Sequence, residues 1–212
     1  PHDTNLQCPV AIKEYLPSGI AIRAGGGAIC PCSSKDEEVY RQGLQRFLGE
    51  ARVLASFRHV NIVRVTRFFE ANNTAYMVMP FYEGPTLAHA LQTLGRRPTE
   101  DELLDWLRPL LHALSTLHAV RCYHRDIAPD NILLTPAGPL LLDFGAARRV
   151  ADQAAASPTV VIKPGYAPIE QYADVNDMQQ GPWTDLYYVT AGVHAVLSKE
   201  APLPATFRVL NE

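Results

Sequence analysis

Hydrophobic positions recur along this chain with two periods, and the change from one to the other divides it. Val10-Ala11-Ile12 is a short β-branched run that predicts a strand ending on Lys13. The stretch from Pro17 to Ser34 is rich in Gly and Ser, shows no period, and predicts a long loop. From Asp36 apolar residues return at three- and four-residue steps, as Leu44, Phe47, Leu48, Ala51, Leu54 and Ala55, which is one stripe of a helix closed by Arg58-His59-Val60-Asn61. Ile62 to Glu70 and Ala75 to Met79 are strand-like and meet at Asn72-Asn73, a hairpin turn, so this sheet is expected to be mostly antiparallel. Beyond Pro80 helical periods take over, with Glu83-Gly84-Pro85 as the boundary. Thr86 to Leu94 and Glu100 to Ala119 are helical, the second carrying Leu103, Leu104, Leu107, Leu110, Leu111 and Leu114 on one side. Ile132 to Leu134 and Leu140 to Leu142 are short strands around Pro136-Ala137-Gly138, and an Ala/Ser/Pro loop runs on to Pro164. A last helix covers about Asp185 to Leu197 and then meets Pro202 and Pro204. The expectation is an α+β protein: residues 1–82 a small antiparallel sheet with one helix, residues 83–212 mainly helical.

Composition narrows the partners more than the fold. With 212 residues, 47% hydrophobic and 19% charged, the chain is ordinary globular material. A formal net charge of -3 leaves no basic footprint, so nucleic acid is a poor partner. No apolar run approaches the roughly 18 residues of a membrane span, and the opening residues do not read as a signal peptide. Cys8, Cys30, Cys32 and Cys122 are scattered, and Cys30-Pro31-Cys32 has the wrong spacing for a zinc knuckle, so reduced thiols in a cytoplasm are expected. Pro1 stands where a start methionine would, and a strand follows almost at once, so the chain is expected to begin inside a fold.

Four strings occur in a fixed order: Val10-Ala11-Ile12-Lys13, His124-Arg125-Asp126 with Asn131, Asp143-Phe144-Gly145, and Ala167-Pro168-Ile169-Glu170. Any one arises by chance; together and in order they resemble the signature set of the eukaryotic-type (Hanks-type) Ser/Thr protein kinases. The fold implied is the two-lobed kinase fold, and the chemistry is phosphoryl transfer, which needs positioning and neutralisation of phosphate charge more than covalent help. Lys13 ends a buried strand, where an unpaired ammonium is costly. By resemblance it holds the ATP α- and β-phosphates and pairs with Glu50 of the first helix. Asp126 would accept the substrate hydroxyl proton. Asn131 and Asp143 are oxygen ligands suited to Mg²⁺, with Mn²⁺ an admissible substitute.

The resemblance also places Ala11 and Leu133 on the two faces of adenine, Met79 as gatekeeper and Pro80-Phe81-Tyr82 as the hinge. Pro80 still offers a carbonyl, and Tyr82 the N-H donor. His124 and Phe144 are expected to pack with Leu54 and Val65. Arg125 beside the catalytic Asp marks kinases whose activation segment is organised by a phosphate, and Thr159 stands where the family places it. Asp185 matches the aspartate that braces the catalytic loop, although a plain helix N-cap would read the same.

Departures from the family pattern are informative. The glycine-rich hairpin before Lys13 is absent, and so are the last helices of the helical lobe with the arginine that pairs with Glu170. A polypeptide so bounded is expected to be inactive or nearly so. Ala128 stands where Ser/Thr kinases carry a lysine for the γ-phosphate, and Lys163 where they place a threonine facing it; a charge swap would let the Lys163 ammonium fill the vacated space. Ala11-Ile12-Lys13-Glu14-Tyr15-Leu16-Pro17 and Gly165-Tyr166-Ala167-Pro168-Ile169-Glu170-Gln171-Tyr172 resemble a bacterial subgroup of these kinases. Protein substrates and ATP are the implied partners, with self-association for trans-autophosphorylation compatible. Two other readings stay open: a pseudokinase or ATP-binding interaction module, and a small-molecule kinase of similar fold.

Overall fold

A computed structural model describes residues 1–144, 148–149, 162–172 and 179–211 of the chain. They form two compact units. The first comprises Pro1–His59 and Val63–Tyr82, the second Val60–Ile62 and Glu83–Glu212.

The first unit is built on a four-stranded antiparallel sheet. Its elements in chain order are β1 (His2–Asp3), β2 (Cys8–Glu14), β3 (Ala21–Arg23), β4 (Ile29–Pro31), α1 (Asp36–Ser56), β5 (Arg67–Ala71) and β6 (Thr74–Pro80). The sheet order is β1-β2-β6-β5. Asp3 closes the first turn by accepting the amides of Asn5 and Leu6, both at 2.9 Å. Asn72 and Asn73 close the β5–β6 hairpin with φ of 55° and 57°, the left-handed pair a two-residue turn of this hand demands and asparagine tolerates. Val10, Ala75, Met77 and Val78 of the sheet and Phe47, Leu48, Ala51 and Leu54 of α1 are all buried. Asp36, Glu37 and Glu38 fill the first turn of α1, where acidic residues favour the helix dipole.

Two expectations need correction here. The stretch from 17 to 34 is not a plain loop: β3 and β4 pair within it, with Ile22 opposite Cys30. Three-residue strands are too short to display alternation, and their contribution comes instead from Ala21 and Ile29, which bury against Tyr40 of α1. The strand expected from Ile62 begins only at Arg67, because Ile62 bridges Leu141 and belongs to the second unit.

The second unit contains α2 (Leu87–Leu94), α3 (Glu100–Ala119), β7 (Cys122–Tyr123), β8 (Ile132–Thr135), β9 (Gly138–Leu141), β10 (Arg148–Arg149), α4 (Pro182–Ser198) and α5 (Ala205–Asn211). The strands pair as two antiparallel ladders, β8 with β9 and β7 with β10. Thr99 opens α3 with a capping box: its hydroxyl accepts the Glu102 amide at 3.3 Å while the Glu102 carboxylate accepts the Thr99 amide at 2.8 Å. The Arg96 fork grips the same carboxylate, and these contacts, Arg96 first, hold the Glu102 carboxyl down to about 2. Leu110, Ala113, Leu114 and Leu117 form the buried stripe of α3, whereas Leu111, expected in the core, is 37% exposed. α4 starts at Pro182, three residues earlier than expected, because proline suits the first helical position and Thr184 accepts the Gly181 amide. Asp185 therefore lies inside the helix and is not its cap. The short helix α5 was not legible, since prolines at 202 and 204 mask about two turns in which Ala205 is deeply buried.

Candidate active site

Each unit carries its own set of predicted residues. In the first, Lys13 Nζ lies 3.1 Å from Glu50 Oε1, with the lysine side chain 36% exposed and the glutamate 7%. Both ends are placed by packing. Lys13 sits opposite the fully buried Met77 in the β2–β6 ladder, and Glu50 shares the buried face of α1 with Phe47 and Leu54. The Phe47 ring lies 6.0 Å from the ammonium. Ala11 pairs with Met79 across the same ladder and Val10 with Pro80. Ala11, Met79, Pro80 and Tyr82 are all half-buried, while Phe81 is exposed and donates its amide to Pro9. Leu54 and Val65 are buried in this unit.

In the second unit the segment from His124 to Asn131 is held from several sides. Asp126 accepts from Asn131 Nδ2 twice, at its carboxylate and at its backbone carbonyl, each at 2.9 Å. Because Nδ2 is spent in this way, Asn131 keeps Oδ1 as its acceptor end, the atom a cation needs. The Asn131 carbonyl accepts the Leu142 amide at 2.9 Å, which ties this loop to the residue before Asp143. Asp143 is exposed and takes φ of 53°, and Arg125 takes φ of 68°. Left-handed backbone at two non-glycine residues costs energy of order 1–3 kcal/mol each, and such outliers gather where function fixes the geometry. Burial pushes the Asp126 carboxyl up; His124, Lys163 and the Asn131 bond hold it down, and the Asp143 charge pushes it further up. Among the described residues no three His, Cys, Asp or Glu side chains gather as a metal cage. Two oxygen ligands fit Mg²⁺, which takes most of its shell from phosphate and water.

His124 and Phe144 are fully buried and meet edge to face, with ring centroids 4.4 Å apart. His124 Nε2 lies 2.9 Å from the Leu142 carbonyl and its Nδ1 accepts the Asp126 amide at 3.3 Å. These partners define a neutral ring protonated on Nε2, and burial lowers the imidazole pKa accordingly.

The brace of this loop is Asp185. Fully buried, it accepts the amides of His124 at 3.0 Å and Arg125 at 2.7 Å, and lies 2.8 Å from His118 Nε2. Gln171 adds a second brace: its amide donates to the Arg125 carbonyl at 3.1 Å and accepts the Tyr188 hydroxyl at 2.7 Å. Burial raises the pKa of that hydroxyl well above its ordinary value. His118, Gln171 and Tyr188 escaped sequence reading. Tyr188 follows Asp185 by three residues and so shares its helix face, which was the available signal.

Lys163 donates to both carboxylate oxygens of Asp130 and lies 5.9 Å from the Tyr166 ring. Ala128 is buried. Leu133 is half-buried and bridges Thr86. Glu170 accepts the Thr184 hydroxyl at 2.8 Å. Thr159 and Gly145 lie outside the described residues.

The protein kinase domain model matches residues 30–209. The chain is similar to serine/threonine-protein kinase PknL of Mycobacterium tuberculosis (33% identical over 162 residues, 76% of this chain and 40% of that protein). It is similar also to serine/threonine-protein kinase PknA of Nostoc (35% over 146 residues, 64% and 26%) and to mouse serine/threonine-protein kinase Nek3 (34% over 138 residues, 64% and 27%). Its matched part thus spans about a quarter to two fifths of these relatives. Among solved structures, the apo form of PpkA-294 matches 99% of this chain and 73% of its own, at 38% identity and a TM-score of 0.79.

Proposed function

This chain belongs to the protein kinase domain family and has a protein-kinase-like fold, and from that premise we propose that the full-length protein that carries it transfers the ATP γ-phosphate to Ser or Thr hydroxyls of proteins. The observation that carries the reading is the arrangement of Asp126, Asn131 and Asp143 in one braced loop system: a carboxylate whose pKa burial raises above its ordinary value, beside two oxygen ligands. Asp126 orients the substrate hydroxyl and takes its proton. Lys13, steadied by Glu50, binds the α- and β-phosphates, and Ala11, Met79, Pro80, Tyr82 and Leu133 receive adenine. Asn131 and Asp143 hold Mg²⁺ or Mn²⁺, which supplies neutralisation of phosphate charge. Lys163 serves the role for which the family uses a lysine at the Ala128 position; its influence on the Asp126 carboxyl supports this, with Asp130 as its resting partner. Arg125 receives the phosphate of a modified Thr159, and transfer between two copies would supply it. No helix among the described residues is long and apolar enough to cross a membrane, and reliance on ATP and reduced thiols fits the cytoplasm.

Full-length protein given labelled ATP, Mg²⁺ and a generic basic protein should yield phosphoserine or phosphothreonine, and Asp126→Asn should abolish it. Ala128 favours a pseudokinase as the second reading. That reading predicts a Mg-ATP thermal shift, lost in Asp143→Ala, with no transfer by the unmodified protein.

A further inference from the structure

The hairpin formed by β3 and β4 ends against α1, and a line of rings leads from it to Lys13 within the first unit. Ala21 and Ile29 bury against Tyr40. Tyr40 meets Tyr15 with ring centroids 5.3 Å apart, Tyr15 meets Phe47 at 5.7 Å, and the Phe47 ring lies 6.0 Å from Lys13 Nζ. The outer end of this line is anchored by backbone. Tyr40 Oη donates to the Asn73 carbonyl at 2.7 Å, the Ile29 amide donates to the Asn72 carbonyl at 2.8 Å, and the Thr74 hydroxyl donates to the Tyr15 carbonyl. The hairpin, the β5–β6 turn and the N-terminal half of α1 are thereby fastened to one another.

Gly43 shows how closely α1 is held. A glycine in a helix interior is disfavoured relative to alanine. Here a Cβ would fall inside the Tyr15 hydroxyl, so the hydroxyl end of the ring occupies the space that glycine leaves open on the helix. Phe47 follows Gly43 by one helical turn and Glu50 follows Phe47 by three residues, so the element the ring presses on is the one that carries the partner of Lys13.

We propose that Tyr15, Tyr40 and Gly43 are positioning residues: the hairpin clamps α1 through them and so keeps Glu50 on Lys13 with no bound partner or ligand. The inference rests on the reading of Lys13 and Glu50 as the phosphate-binding pair. A regulatory consequence follows, since anything that lifts the hairpin off Tyr40 releases the pair.

The test uses full-length protein and two readouts: the rate at which an amine-reactive reagent labels Lys13 without nucleotide, followed by mass spectrometry, and kcat and KM for ATP. Gly43→Ala and Tyr15→Ala should each raise Lys13 labelling about fivefold or more and raise KM for ATP. The double variant should match Tyr15→Ala alone, because with the ring gone the added methyl meets nothing. Lys13 labelling unchanged in both single variants, or effects that add in the double one, would overturn the clamp. Should Gly43→Ala fail to fold, Tyr40→Phe keeps the ring stack but frees the Asn73 carbonyl, and must raise labelling by a smaller factor; no rise overturns the clamp. Glu50→Gln run in parallel separates the two ideas. If it raises labelling but leaves transfer unchanged, the phosphate-binding reading fails while the clamp stands.

Discussion

Glu50 and Asp185 are both helix carboxylates kept from solvent, yet they hold the site by different means. Glu50 holds the end of a long, 36% exposed side chain at 3.1 Å. Asp185 is fully buried and accepts two backbone amides in addition to its contact with His118. A partly solvated ion pair contributes little to stability, of the order of 1 kcal/mol or less. A buried carboxylate satisfied by backbone donors is worth several times that when it is broken, because the donors are left unpaired. One acid fixes a charge, the other fixes a stretch of chain. On the proposed function, activity should depend on both, stability chiefly on the second.

Asp126 tests the contrast from the other side. Its carboxyl is pushed up by burial, so its ionised form costs stability at neutral pH, and Asp126→Asn should lower kcat by about 10²–10⁴ while leaving the melting temperature unchanged or slightly raised. A large drop in melting temperature would put Asp126 among the braces. Lys163→Ala should cost about tenfold in kcat. Because the Lys163 charge holds the Asp126 carboxyl down, its loss should also move the acid limb of the pH–rate profile to higher pH; an unmoved limb and unchanged kcat would leave Lys163 a surface residue.

The smallest effect is expected from His124. Its imidazole pKa is lowered in the folded protein by burial, so its contribution to stability is full above the unfolded value of about 6.5 and is lost as pH falls below it. Melting temperature should decline from pH 7 to pH 5.5, and the nitrogen shifts of His124 should report a neutral, Nε2-protonated ring where exposed histidines have begun to titrate. A charged His124 ring at pH 6.5 in the folded protein would contradict the assignment.

How legible these features were in the sequence depended on the range over which each is encoded. The helix over Asp36–Ser56, the Asn72-Asn73 turn and the Thr99 start of α3 are written in local period, turn chemistry and capping, and their positions read well. The β3–β4 hairpin was lost among glycines because its two strands are three residues each and are stabilised by Tyr40, a residue outside them. Leu111 misled because seven leucines within one helix outnumber the positions its buried stripe can hold. At the site, ordered motifs pointed to Lys13, Asp126, Asn131 and Asp143, while the bracing network of His118, Gln171 and Tyr188 rests on contacts between residues as many as 67 apart and left only the Asp185-to-Tyr188 spacing as a local mark.

The direct test of this division is to measure phosphotransfer rate and melting temperature together for Glu50→Gln and Asp185→Asn in full-length protein. Both variants should lose transfer by tenfold or more. Glu50→Gln should melt within about 2–4 °C of the unmodified protein, as expected for a shift of about 1 kcal/mol or less, and Asp185→Asn several times further below it. Equal losses of melting temperature, or transfer retained in Glu50→Gln, would contradict the account.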